Sequence, residues 1–215
     1  MITRKLILKQ QPPAPPPATP LVQSGMALNV YFYPNRPTLI PPDRSYIQKL
    51  ENTGRYIAER KWNGDNVLYN TTTQEFWNRH KARHRYVPSA DVKAELDRFP
   101  KGAVLNAELV NYRTKTVKDL IVVHAIMVYN DHPLIGSSWG ASRNLLESFT
   151  YGDHVKLSEV FKSDFWERFQ EADGNIVEGI ILKEIGGKLV FSATPPKDVP
   201  WMKKVRKPRA GVYSY

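Results

Sequence analysis

The stretch Tyr56-Ile57-Ala58-Glu59-Arg60-Lys61-Trp62-Asn63-Gly64-Asp65-Asn66-Val67 decides how the rest of the chain is interpreted. Lys61 stands three residues before Gly64 and is flanked by β-branched and aromatic side chains, a pattern that predicts a strand, a turn and a second strand. We interpret Lys61 as a nucleophile held where the first strand meets the turn. A Lys-x-x-Gly match is a weak signal by itself, because a solvated lysine before a turn glycine gives the same letters.

The composition of the chain limits the class of protein. The 215 residues include no cysteine, which excludes disulfides, thiolate metal clusters and a cysteine nucleophile. About 190 residues of globular sequence bury roughly 70% of their unfolded surface, which is enough for a hydrophobic core. The formal charge of +10 favours a polyanionic partner, although plain binding proteins share this trait.

The N-terminal segment differs in composition from the rest. Residues 10–20 hold six of the seventeen prolines, which predicts a tail over residues 1–25, acting as a spacer or disordered segment rather than a partner-binding motif, before a domain over residues 26–215. The apolar run near the first residues is too short and interrupted for a signal peptide, and no apolar stretch is as long as a membrane span, so we expect neither. We therefore expect a soluble cytoplasmic protein that contacts no membrane, and an origin in a phage genome is compatible with this.

The hydrophobic pattern predicts an α+β fold. Strands are predicted at residues 29–33, 67–70, 75–78, 104–110, 120–129, 155–160, 176–183 and 188–191, and helices at residues 44–52, 89–98, 141–149 and 163–172. Asp43 is the expected N-cap of the first helix. Residues 34–42 are expected to be a loop, and Gly186 and Gly187 are expected to turn the strand 176–183 into a hairpin with 188–191.

The strands 67–70 and 75–78 are expected to form a hairpin. A basic run, Arg79-His80-Lys81-Ala82-Arg83-His84-Arg85-Tyr86, follows this hairpin. Arg79, Lys81, Arg83 and Arg85 are candidates for contacts with nucleic-acid phosphates, because aromatic residues flank them. A solvated loop explains the run equally well.

Two predicted strands each carry one acidic residue among apolar ones. Glu108 lies in the strand 104–110 and Glu178 in the strand 176–183. An acid in such a position needs a partner cation or a metal. His124 interrupts the apolar strand 120–129 and is more typical of a satisfied core histidine than of a ligand.

The ordered motifs resemble those of the nucleotidyltransferase domain of ATP-dependent polynucleotide ligases, relatives of the mRNA capping enzymes. The matching segments are Lys61-Trp62-Asn63-Gly64, Leu105-Asn106-Ala107-Glu108-Leu109-Val110, Glu178-Gly179-Ile180-Ile181-Leu182-Lys183 and Trp201-Met202-Lys203-Lys204-Val205-Arg206. Residues 141–149 also resemble the arginine-leucine helix of DNA ligases. The resemblance covers about residues 36–207 and implies an ATP-grasp-like fold of two packed, mainly antiparallel sheets with flanking helices.

The resemblance implies a chemistry in which Lys61 attacks the α-phosphorus of ATP and forms a lysyl-AMP intermediate. The AMP then passes to a 5′-phosphate end, and a 3′-hydroxyl displaces it to seal a nick. The expected metal is Mg²⁺, with Mn²⁺ as an alternative, and the expected substrate is nicked duplex DNA or an RNA/DNA hybrid bound by a monomer.

The resemblance also implies roles for individual residues. Glu178 would hold the metal, and Glu108 would contact the ribose or help to bind the metal. Lys183, Lys204 and either Lys203 or Arg206 would sit on the α-phosphate as fixed cations. Glu59 matches the position that senses adenine at the pocket rim, and Arg79 matches an arginine that grips the 5′-phosphate side of the nick.

Several positions depart from the pattern of the family. Asn63 stands where the family usually has an aspartate, and Asn66 where it usually has an arginine. We therefore expect the ribose contacts of these two residues, and the activation of Lys61, to differ from those of the family. His124 falls where the family has an aromatic residue that stacks on adenine. One residue is inserted in the last motif, so either Lys203 or Lys204 could be its first cation.

The family usually carries an OB-fold domain after the last motif, and only residues 208–215 follow it here. Three explanations stay open: a stand-alone catalytic core, a partner that supplies the function, or truncation. The leading interpretation is a DNA ligase without an OB domain. The alternatives are an RNA ligase or one that prefers an RNA 3′-hydroxyl end, a capping guanylyltransferase that uses GTP, and a catalytically silent nucleic-acid-binding protein.

Overall fold

A computed structural model describes residues 31–195 and 198–208. The predicted tail over residues 1–25 lies outside the described residues. Within them are two β-sheets and four helices, α1 (Arg44–Asn52), α2 (Ala90–Leu96), α3 (Trp139–Glu147) and α4 (Phe165–Gln170). Asp43 caps α1 as predicted, because its side chain accepts a hydrogen bond from the Tyr46 backbone N–H.

The first sheet has the strand order β1-β11-β10-β2-β9. Its strands are β1 (Arg36–Leu39), β2 (Tyr56–Trp62), β9 (Val160–Phe161), β10 (Val177–Glu184) and β11 (Asp198–Arg206). All neighbours are antiparallel except β1 and β11. The Lys61 segment thus lies in the middle of a sheet, between β9 and β10.

The second sheet has the order β4-β3-β5-β6-β7, and β8 pairs with β6. Its strands are β3 (Asp65–Asn70), β4 (Glu75–Asn78), β5 (Val104–Val110), β6 (Leu120–Tyr129), β7 (His132–Pro133) and β8 (Val155–Leu157). Two residues, Asn63 and Gly64, join β2 of the first sheet to β3 of the second. The turn after Lys61 therefore crosses from one sheet to the other.

Three apolar cores follow from the alternation of side chains along the strands. One core lies between the sheets and includes Ile57, Leu68, Met127, Trp201 and Met202. The outer face of the first sheet packs on α1 and α4, and the outer face of the second packs on α2 and on Leu146 of α3. This arrangement confirms the predicted α+β fold of two packed, mainly antiparallel sheets with flanking helices. No helix among the described residues is long and apolar enough to cross a membrane.

Two predictions near the start of the domain are wrong. Tyr31 and Phe32 form no strand, and Tyr33 makes only a single bridge to Ser192; residues 29 and 30 lie outside the described ranges. The predicted loop 34–42 contains β1, which includes Pro37. Proline is tolerated there because β1 is an edge strand and needs no second hydrogen-bonded neighbour.

Two further predictions are wrong, because the pairing of strands depends on distant segments of the chain and not only on neighbouring residues. The predicted strand 155–160 is split, with β8 in the second sheet and β9 in the first. The predicted hairpin at Gly186 and Gly187 does not form, because β10 pairs with β11 and β2 instead. Gly187 packs under Trp201, whose ring would lie 2.4 Å from a Cβ at that position.

Candidate active site

A cleft of about 1080 Å³ lies between the two sheets, beside the turn that joins them. The carboxylates that line it are Glu59, Asp65, Glu108 and Glu178, and the lysines and arginines that line it are Arg36, Arg60, Lys61, Arg79, Arg113, Lys183, Lys204 and Arg206. Cations outnumber carboxylates, so the cleft favours an anionic ligand.

Lys61 points into this cleft near the end of β2. Its Nζ lies 2.6 Å from Oε2 of Glu178, and the two side chains are 14% and 8% exposed. Arg206 Nε approaches the same oxygen at 3.4 Å. The register between β10 and β2 shifts between Val177 and Gly179, at Glu178, and such shifts can re-aim a side chain. The position after Glu178 must be glycine, because a Cβ there would lie 2.0 Å from the Val205 carbonyl oxygen.

Glu108 lies on the opposite wall and is tied to the turn after Lys61. The Gly64 backbone N–H donates a hydrogen bond of 3.0 Å to Glu108 Oε1. A Cβ at Gly64 would lie 2.4 Å from the Leu109 carbonyl oxygen, so only glycine lets the turn approach β5 this closely. Burial raises the pKa of Glu108 to about 7, although the Lys61 charge and the Gly64 hydrogen bond oppose this.

Lys183 and Glu59 form a buried ion pair at the floor of the cleft. Lys183 Nζ donates to Glu59 Oε1 at 2.8 Å and to the His124 carbonyl oxygen at 3.2 Å. Burial lowers the pKa of Lys183, while the Glu59 carboxylate raises it. Glu59 was expected at the pocket rim, but it lies at the floor because Lys183 on the neighbouring strand neutralises it there.

His124 lines the same part of the cleft. Burial, and next the charge of Lys183, lower the pKa of His124 to about 3. The imidazole is therefore neutral at physiological pH and presents an uncharged ring to the cleft.

The register of β11 separates the two candidate lysines. Lys204 pairs with Ile181 and lines the cleft, as Arg206 does. Lys203 pairs with Leu182, which belongs to the core on the outer face of the sheet. Lys203 Nζ donates to the Pro200 carbonyl oxygen, and the cleft does not include Lys203. The structure thus places Lys204 and Arg206, and not Lys203, with Lys61.

Asn63 and Asn66 take different positions. Asn66 lines the cleft, and its side chain donates to Asn106 Oδ1 at 2.9 Å, which joins β3 to β5. Asn63 was expected to bind the nucleotide, but its side chain donates to the Asn175 carbonyl oxygen at 2.7 Å and does not line the cleft.

Of the four candidates in the basic run, Arg79 lines the cleft and Lys81, Arg83 and Arg85 lie outside it. Arg83 pairs with Glu75 at 2.6 Å. The Arg85 guanidinium stacks 4.7 Å from the Tyr112 ring centre. Of the four candidates only Arg79 therefore reaches the cleft, together with His80 and His84 of the same run.

Asp65 and Arg113 form an ion pair in the cleft and were not predicted as site residues. Arg113 follows β5 in a loop without a recognisable motif, and 48 residues separate it from Asp65. No pattern in the sequence links the two.

The carboxylates of the cleft fit a Mg²⁺ ion that is bound partly by the protein and partly by the phosphates of the substrate. Among residues 31–195 and 198–208, no group of three or more metal-ligating side chains is found. Mg²⁺ is commonly bound by one or two carboxylates together with substrate phosphates. Glu178 and Glu108, on facing walls beside Lys61, supply that number of carboxylates.

No family model matches the chain, and no curated protein matches it in sequence. Solved structures do match its fold. The ligase domain of LigD from M. tuberculosis gives a TM-score of 0.55 at 14% identity over 83% of this chain and 60% of that one. Mycobacterial DNA ligase D complexed with ATP and MES gives 0.53 at 15% identity over 83% and 60%.

A Lig E DNA ligase, described as binding DNA with a minimal scaffold, gives a TM-score of 0.50 at 14% identity over 72% of this chain and 62% of that one. The chain spans about 60% of the length of these proteins. The fold is that of the nucleotidyltransferase domain of ATP-dependent DNA ligases.

Proposed function

We propose that this chain, built on the nucleotidyltransferase fold of DNA ligases, is an ATP-dependent polynucleotide ligase that acts through a lysyl-AMP intermediate on Lys61. The observation that carries the proposal is the position of Lys61 Nζ, 2.6 Å from Glu178, in a cleft that also holds Glu108, Lys204 and Arg206. A nucleophilic amine, two carboxylates and further cations are the groups that adenylyl transfer requires.

In the first step the unprotonated Lys61 amine attacks the α-phosphorus of ATP. A nitrogen–phosphorus bond forms, the bond to the bridging oxygen breaks, pyrophosphate leaves and the amine proton passes to solvent. Glu178 and Glu108 would hold Mg²⁺ together with the substrate phosphates, and the ion would neutralise phosphate charge. Until then Glu178 keeps the Lys61 side chain at one place in the cleft.

The cations divide into two sets. Lys204 and Arg206 line the cleft beside Lys61, so we assign to them the stabilisation of charge on the α-phosphate. Lys183 already has its charge balanced by Glu59, so we assign it a positioning role. The neutral His124 side chain lines the same cleft and is assigned to the adenine.

The substrate we propose is a nick with 5′-phosphate and 3′-hydroxyl ends in duplex DNA or an RNA/DNA hybrid. Support comes from the net charge of +10 and from Arg79, which joins the cleft to the basic run. Such a charge supplies the contacts with backbone phosphates that dominate affinity for nucleic acids. We further propose a cytoplasmic monomer whose adenylation domain spans residues 26–215.

A nick-sealing assay tests the proposal. Singly nicked duplexes with DNA or RNA on each side of the nick are incubated with the protein, ATP and Mg²⁺, and products are separated on a denaturing gel. We expect sealing of the nick with DNA on its 5′-phosphate side, and none with a 5′-hydroxyl end or with Lys61→Ala. Sealing that survives Lys61→Ala, or its absence on every duplex, would contradict the proposal.

A further inference from the structure

Asp65 and Arg113 form an ion pair at the cleft that the proposed function does not use. Arg113 Nε and one terminal nitrogen lie 2.9 and 2.8 Å from the same oxygen, Asp65 Oδ1. Two contacts to one carboxylate oxygen fix the plane of the guanidinium. Both residues line the cleft that contains Lys61.

The guanidinium keeps unused hydrogen-bond donors. An arginine side chain has about five N–H groups in a planar fork, and the contacts with Asp65 involve one edge. Within the described ranges no other hydrogen bond to Arg113 is found, and its side chain is 46% exposed. The remaining edge is therefore available to a ligand with two or more acceptor oxygens, as a phosphate has.

His84 supports Asp65 from the other side. Its Nδ1 accepts the Tyr86 backbone N–H at 3.1 Å, so the neutral ring carries its proton on Nε2. That Nε2 lies 3.7 Å from Asp65 Oδ2, and the histidine side chain is only 9% exposed. Asp65 thus lies between a buried ring and the guanidinium, which restricts its movement.

The pair is close to the reacting groups. Asp65 directly follows Gly64, whose N–H holds Glu108. The Arg113 charge is also among the influences that lower the pKa of Glu108 against the effect of burial. A phosphate bound by Arg113 would consequently lie on the Glu108 side of Lys61, across the cleft from Lys204 and Arg206.

We propose that Arg113, oriented by Asp65 and His84, forms a second phosphate-binding subsite in this cleft. The inference rests on the proposed function. It states that the ligand of this subsite is a terminal phosphate group of a substrate. Two sources carry such a group: the 5′-phosphate at the nick, and the terminal phosphates of ATP that leave as pyrophosphate.

Binding without catalysis tests the first source. Fluorescence anisotropy in the absence of ATP compares a nicked duplex that has a 5′-phosphate with the same duplex that has a 5′-hydroxyl. We expect Arg113→Ala to weaken binding of the 5′-phosphate nick by roughly ten- to hundredfold, the loss of a charge-assisted hydrogen bond, and to leave the 5′-hydroxyl nick unchanged. Arg113→Lys, which keeps the charge, should recover part of the loss.

The rate of AMP transfer to the protein tests the second source. If Arg113 holds the terminal phosphates of ATP, Arg113→Ala slows formation of the labelled adduct by roughly tenfold or more and leaves discrimination between the two nicks intact. Arg44→Ala is the matched control, because Arg44 pairs with Glu167 at 3.6 Å and is not part of the cleft.

Either selective loss supports the subsite and identifies its ligand. If Arg113→Ala matches Arg44→Ala in both measurements, the subsite proposal is wrong, while the proposed function stands as long as the unmodified protein forms its AMP adduct. A purely structural role would weaken the two nicks equally, and thermal melting of each variant reports loss of fold. Absence of the adduct in the unmodified protein would instead contradict the proposed function itself.

Discussion

Lys183 Nζ lies 2.8 Å from Glu59 Oε1, and each of these side chains is only 2% exposed. The pair joins the end of β10 to the centre of β2, the two strands that carry Glu178 and Lys61. The pair lies under the cleft. The strand that carries Lys61, β2, is therefore held to β10 by a buried ion pair as well as by backbone hydrogen bonds.

Removing one partner of this pair should destabilise the protein strongly. Lys183→Met or Glu59→Gln leaves an unmatched buried charge, which costs about 3–5 kcal/mol of unfolding free energy. The double variant, which has no buried charge, should recover a large part of that loss. Urea denaturation measures all three, with Arg44→Ala, at an exposed pair, as the control that changes stability by less than about 1 kcal/mol. Single variants within that control range would show that the pair does not stabilise the fold.

Glu108 should make stability depend on pH. Because its folded pKa is about 7, above the usual carboxyl value, its favourable contribution is complete below about pH 4.5 and is lost as pH rises through 7. Glu108→Gln keeps an oxygen for the Gly64 N–H and cannot ionise. Relative to the original protein it should therefore gain up to about 3 kcal/mol between pH 5 and pH 8. Denaturation curves at both pH values that give equal differences would contradict the raised pKa.

Gly64 should tolerate no side chain. A Cβ there meets the Leu109 carbonyl oxygen at 2.4 Å, whereas a Cβ at Gly186 meets nothing within 4 Å. We expect Gly64→Ala to lose about 1–3 kcal/mol of stability and to impair transfer of AMP to Lys61, because the turn that bears Glu108's hydrogen bond must move. Gly186→Ala should behave as the original protein does. Equal behaviour of the two variants in thermal melting and adduct formation would show that the close approach has no consequence.

Adjacent lysines on β11 should differ in their effect on chemistry. Lys204 faces the cleft and Lys203 faces away from it, so Lys204→Ala should slow adduct formation about 100-fold or more, the loss expected for one preorganised group that stabilises transition-state charge. Lys203→Ala carries the same change in net charge and serves as the matched control, with a rate near that of the original protein. The reverse order of effects would place the strand one residue out of register.

The local parts of the fold could be predicted from the sequence. The helix that begins after Asp43, the strand-turn-strand at Lys61 and the hairpin that follows depend on neighbouring residues, and the structure confirms them. The order of the motifs predicted that Lys61, Glu108, Glu178 and Lys204 belong to one site, and all four line the cleft. These features could be predicted because the alternation of apolar and polar residues, and the turn glycines, indicate them within a few residues of sequence.

The remaining features depend on pairing between distant segments. The split of residues 155–160 between two sheets, and the edge strand that contains Pro37, follow from which strand edges are left to pair. The inserted residue in the last motif left Lys203 and Lys204 undecided until the register with β10 was known. The contact of Asp65 with Arg113 joins the start of β3 to the loop after β5, and the two segments share no sequence pattern.

The central claim is that Lys61 becomes covalently bound to AMP. The most direct measurement incubates the protein with Mg²⁺ and ATP or GTP labelled at the α-phosphate, then detects label on the denatured chain and maps the modified residue. The account predicts label from ATP on Lys61, release of pyrophosphate, and no label with Lys61→Arg. Label from GTP in place of ATP, label that survives Lys61→Arg, or no label at all would contradict it.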